Sequence, residues 1–98
     1  MTESGRRDAV AEELGLAEEE LRAADQLVAS GMARIALTRA YFGAFHAVRA
    51  LLYSEDLAPL SHAGVQHLFN LHFVRTGRFE PASSRLLARL QKYREEAD

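Results

Sequence analysis

Apolar residues recur along this chain at spacings of three and four and nowhere alternate at two, a pattern that predicts helices and no strands. Val10, Leu14, Ala17, Leu21, Ala24 and Val28 form a narrow seam on one first helix, with Asp8 as its N-cap. Residues 1–7 are polar and without period, so a flexible lead-in is expected there, with a single helical domain over 8–98. Gly15 sits inside the seam, at a cost of about 1 kcal/mol relative to Ala, without ending the helix. Ser30 and Gly31 supply a turn, Gly31 suiting the left-handed position after a helix end. A third helix over about 61–76 is capped by Ser61 and carries a face of Val65, Leu68, Phe69, His72 and Phe73, with Gly77 as its stop. Pro81 fits the first turn of a fourth helix, 81–97, whose face is Leu86, Leu87, Leu90 and Tyr93. Short connections between four helices predict an all-α, antiparallel, up-and-down four-helix bundle.

The second helix, about 33–53, is the centre of the pattern. Tyr41, Phe42, Phe45, Val48 and Leu52 fall on one arc, as a helix buried against several neighbours requires. Ala36, Ala40, Gly43, Ala44, Ala47 and Ala50 fall on another, a small-residue surface expected to meet a second copy of the chain in a homodimer. Between the arcs lie Arg39 and His46, about 20° apart around the axis and about 10 Å apart along it. The core is expected to comprise Leu21, Phe42, Phe45, Val48, Leu68, Phe69, Phe73, Leu86 and Leu90.

Ninety-eight residues suffice for one domain with a modest core. The chain has no cysteine, which removes disulfides, thiolate nucleophiles and Cys-bound zinc. No apolar run approaches the ~20 residues that span a bilayer, and the first residues have no apolar signal core, so a cytoplasmic protein without a membrane partner is expected. Net charge is −2, divided into eight acids and three bases over residues 1–30 and six acids and nine bases over 31–98. The acidic run Glu18, Glu19, Glu20 reads most simply as a solvated face. No stop signal precedes Asp98, so the chain is expected to be a fragment of a longer one.

Chemistry is sparse. His62, His67 and His72 are each five apart, which spreads them around a helix, whereas a chelating pair stands at three or four; no metal or cofactor is expected. His72 reads as a hydrogen-bonded core residue, His67 as exposed, and His62 as serving the loop or the helix start. No phosphate loop, nucleophile elbow or paired core carboxylates occur. What remains is Arg39 with His46: a cation able to hold a phosphate, and an imidazole able to move a proton near neutral pH, on one helix edge.

The run Thr38-Arg39-Ala40-Tyr41-Phe42-Gly43-Ala44-Phe45-His46-Ala47, continued by Arg49-Ala50-Leu51-Leu52, resembles the central helix of the HEPN domain family, in particular its short prokaryotic branch. Ser61-His62 with Gly64-Val65, Phe73-Val74 with Thr76-Gly77, and the closing Arg94-Glu95 with Ala97-Asp98 extend the similarity over roughly residues 17–98. The resemblance implies a dimerising helical bundle, often encoded beside a minimal nucleotidyltransferase partner. It also implies, in many members, a metal-independent endoribonuclease motif in which a His follows an Arg after four to six residues. Arg39 and His46 match that motif with six between, as catalytic residues acting on RNA at the dimer interface in a toxin-type component of a toxin-antitoxin pair. Ala40 stands where active members commonly carry a polar residue, and Val48 where members modified by the partner often carry Tyr. Two readings follow: an RNA-cleaving enzyme, or a non-catalytic dimeric module that binds a nucleotidyltransferase.

Overall fold

Thr2 opens the chain's first helix: its side-chain oxygen accepts from the Gly5 amide at 2.9 Å, a cap that satisfies one of the helix's free N–H groups. In the computed structural model, which describes residues 1–97, helix α1 spans Glu3–Ala29, α2 Ala33–Ser54, α3 His62–Phe69 and α4 Pro81–Ala97. There is no strand among the described residues, and the architecture is the all-α bundle expected. Asp98, the last residue of the resemblance, lies outside the described residues.

The first helix starts five residues ahead of the expected Asp8. Arg6 explains the extension, because its guanidinium pairs with Glu3 one turn back and with Asp56 at 2.9 Å, tying the first turn to the loop after α2. That bridge also fixes α1 and α2 antiparallel. The third helix stops at Phe69 and passes into a π-helical turn, Asn70–Val74, in which the Arg75 amide donates to the Asn70 carbonyl at 2.8 Å. Gly31 (φ 78°) and Gly77 (φ 81°) both take the left-handed conformation expected of them after helix ends.

The core lies between α2, α3 with its π turn, and α4: Tyr41, Phe45, Val48, Leu52, Val65, Phe69, Phe73 and Leu87 are buried, with Phe42, Leu68 and Leu90 packed at its border. Two expected core residues are outside it. Leu86 is 55% exposed because α4 is turned so that Leu87 points inward, and Leu21 is 47% exposed because α1, among the described residues, packs against α2 and no other helix, on the face opposite the core. The face of α1 that meets α2 is Glu13, Ala17 and Ala24. The helices approach closely at Gly43, where an added Cβ would stand 2.6 Å from a Leu21 methyl and 3.6 Å from the Ala17 carbonyl oxygen. Ala36, Gly43 and Ala50 of the small-residue arc are therefore buried within the chain, and only Ala40, Ala44 and Ala47 keep part of their surface. No helix is long and apolar enough to cross a membrane among the described residues.

Candidate functional site

Arg39 and His46 share the edge of α2 that faces α1, and each meets a carboxylate there. Glu13 Oε2 lies 2.6 Å from His46 Nδ1, and Glu20 Oε1 accepts from Arg39 Nη1 at 3.1 Å. Both pairs are seven apart in sequence, Glu13 to Glu20 and Arg39 to His46, so an antiparallel crossing brings the two rows into register. Glu13 is only 6% exposed. A buried carboxylate needs a charge or a donor beside it, and it has two, since Arg49 Nη1 stands 3.6 Å from its other oxygen.

A carboxylate only accepts, so Glu13 takes the hydrogen bond from His46 Nδ1–H and leaves Nε2 to exchange a proton. The imidazole side chain keeps 17% of its surface. Arg39 is fixed on a second side by the face of Phe42, 5.4 Å from its guanidinium carbon.

Around the same aromatic rings the fold gathers groups that sequence spacing did not bring together. His62, at the start of α3, stacks on Phe45 with ring centres 4.3 Å apart and planes inclined by 19°, while His46 meets the edge of that Phe45 ring at 5.6 Å. The Nδ1 of His62 is hydrogen-bonded to the hydroxyl of Tyr41, which is fully buried. Arg49 lies over Phe45, and Arg94 from α4 lies over Tyr41 and Phe42. Burial lowers the pKa of His62, and the positive charges of Arg94 and Arg49 lower it further. Burial raises that of Tyr41, partly offset by Arg94. Both groups are thereby held neutral around pH 7.

The expectation that His62 serves the helix start describes only half its position: Ser61 caps α3 by accepting from the Gly64 amide at 2.9 Å, while the His62 ring turns into the aromatic cluster. Glu20, expected on a solvated face, is instead the partner of Arg39. The signal that would have found Glu13 and Glu20 is their spacing, equal to that of Arg39 and His46.

The HEPN domain matches residues 11–98, nine-tenths of the chain. The chain belongs to the HEPN domain family. All the side chains just described, from Glu13 to Arg94, lie inside the matched region of the HEPN domain. The chain is 40% identical over 83 residues to a protein of Methanocaldococcus jannaschii named "Putative toxin MJ0605", covering 85% of this chain and 62% of that one. It is 38% identical over 78 residues to the UPF0332 protein PH1297 of Pyrococcus horikoshii, covering 80% and 55%. This HEPN chain thus spans little more than half the length of these relatives. No solved structure matches it.

Proposed function

We propose that this HEPN domain is a toxin-type endoribonuclease that cleaves RNA without a metal ion, using Arg39 and His46. The observation that carries the reading is the pairing of His46 Nδ1 with the buried Glu13, 2.6 Å away. An imidazole oriented through one nitrogen by a carboxylate, with the other nitrogen left by that contact to exchange a proton, is the arrangement proton transfer requires. In such cleavage the ribose 2′-hydroxyl attacks the adjacent phosphorus, one group takes its proton, another protonates the departing oxygen, and a cation steadies the phosphoryl oxygens. Arg39 supplies the cation. Its ion pair with Glu20 must loosen as the phosphate arrives, which makes Glu20 a gate on substrate entry. A family relative that carries the name "Putative toxin MJ0605" supports the same reading.

The functional unit in this proposal is a homodimer, which puts a second Arg39 and His46 beside the first. Met32 and Ile35, both exposed and lining a depression with Arg39, provide apolar surface for the contact.

One observation favours a second reading, a non-catalytic module that binds a minimal nucleotidyltransferase: Arg39, the residue meant to grip phosphate, is already neutralised by Glu20. Incubating the protein with single-stranded RNA and a chelator separates the two. Cleavage by the wild type, abolished in His46→Asn, supports the nuclease; RNA left intact by a folded wild type supports the module. His46→Ala is the poorer control, because it leaves the buried Glu13 only Arg49 at 3.6 Å and should cost about 1–3 kcal/mol of stability.

A further inference from the structure

His46 can make one of the two proton transfers that RNA cleavage needs, and the same chain holds a second imidazole across a single aromatic ring. His46 touches the edge of Phe45 and His62 lies flat on its face. Two rings set on one phenyl group can address the two sides of one phosphate, where the attacking and departing oxygens stand roughly in line. Resting on the nuclease reading, we infer that His62 is the general base and His46 the general acid of one active site within each protomer.

His62 is built for such a role. Phe45 fixes the plane of its ring, Ser61 fixes the helix start that carries it, and the Tyr41 hydroxyl holds Nδ1. Its Nε2 makes no hydrogen bond among the described residues. A phenol hydroxyl can donate or accept, so Tyr41 accommodates either tautomer as a proton comes and goes at Nε2. Neutral at pH 7, His62 arrives with a lone pair available, for which the neighbouring Arg94 and Arg49 are the cause after burial itself. His46 is held from the other side by the buried Glu13, 2.6 Å from its Nδ1, which leaves Nε2 as the nitrogen that can hand a proton to the departing oxygen.

The step balances. His62 Nε2 takes the proton of the 2′-hydroxyl as O2′ bonds to phosphorus. The P–O5′ bond breaks with its electron pair on O5′, which takes the proton from His46 Nε2. A 2′,3′-cyclic phosphate and a 5′-hydroxyl leave, and one proton passed through solvent from His62 to His46 resets the pair.

Two substrates and two variants test the assignment: a ribodinucleotide, whose leaving alkoxide needs an acid, and a nucleoside 3′-(4-nitrophenyl phosphate), whose phenolate does not. Both His46→Asn and His62→Asn should cleave the dinucleotide at least about a hundredfold more slowly than wild type. On the aryl ester His46→Asn should return to within about tenfold of wild type, whereas His62→Asn should stay impaired. His62→Ala, which opens a ring-sized space against Phe45, should be partly restored by free imidazole, a rescue that an unfolded variant would not show. Wild-type rates in His62→Asn, or recovery of both variants on the aryl ester, would overturn the assignment alone and leave the second transfer to the His46 of another copy. Wild-type protein that cleaves neither substrate would overturn the nuclease reading with it.

Discussion

Glu13 is the residue on which the site turns. It lies on the face of α1 that packs on α2, where an apolar side chain would serve packing better, and it is retained there by two partners of opposite charge character, His46 and Arg49. Replacing it by Gln keeps the volume and one acceptor but loses the charge. Glu13→Gln should lower RNA cleavage by more than about tenfold with a loss of about 1–3 kcal/mol in chemical denaturation; unchanged cleavage would show that the carboxylate serves packing alone. His62 adds a pH dependence. Its folded pKa lies below the ordinary value of 6.5, so above that pH both folded and unfolded chains hold it neutral and it has no effect. As pH falls below 6.5 the unfolded chain takes up a proton that the folded chain refuses, and stability is lost until the lowered folded value is passed. The melting temperature should therefore fall between pH 7 and pH 5 less steeply in His62→Asn than in wild type. Equal slopes would mean that the ring is not held neutral by Phe45, Arg94 and Arg49.

At the scale of the helices, α4 gives a test of register. Leu87 is buried and its neighbour Leu86 is not, so Leu87→Ala should cost about 2–5 kcal/mol and Leu86→Ala less than about 1 kcal/mol. The reverse order would put α4 a residue out of place. A comparable test for the α1–α2 contact is Gly43→Leu: an added Cβ already meets Leu21 at 2.6 Å, so a full side chain should force the helices apart at about 1–3 kcal/mol. How far the sequence revealed these elements depended on whether their partners were local. The central helix was legible because its own residues divide into a large apolar arc and a small one, and Tyr41, Phe45, Val48 and Leu52 are buried where the pattern puts them. The face of α1 was legible only in part: Ala17 and Ala24 of its seam are buried, but beside them stand Glu13 and Glu20, whose reasons for being there lie on another helix. Leu14, Leu21 and Val28 kept a regular period and yet stand about half exposed. The π turn after Phe69 left no periodicity signal, since it shifts the ladder by one residue without interrupting the apolar run. Spacing alone pairs Arg39 with His46, whereas the ring contacts of His62 with Phe45 and Tyr41 arise from the packing of α3 on α2, which no local pattern carries.

Across the whole molecule, α2 is the one helix that α1 packs on among the described residues, and the outer side of α1 leaves Leu14, Leu21 and Val28 uncovered, with Met32 and Ile35 following at the turn into α2. Several exposed large apolar residues along one edge are unusual for a surface that meets only water. Light scattering should accordingly give twice the 10.9 kDa chain mass at micromolar concentration, and Met32→Glu with Ile35→Glu, both exposed beside Arg39, should return it to the monomer value. A wild-type monomer would confine any activity to the groups of one chain. If the HEPN fold here arranges its own side chains for RNA cleavage without a metal, end-group analysis of single-stranded RNA incubated with the purified protein and excess chelator should show fragments that carry 2′,3′-cyclic phosphate and 5′-hydroxyl ends, absent with His46→Asn. RNA recovered intact, or cleavage that appears only when a divalent ion is restored, would rule out metal-free cleavage by these side chains.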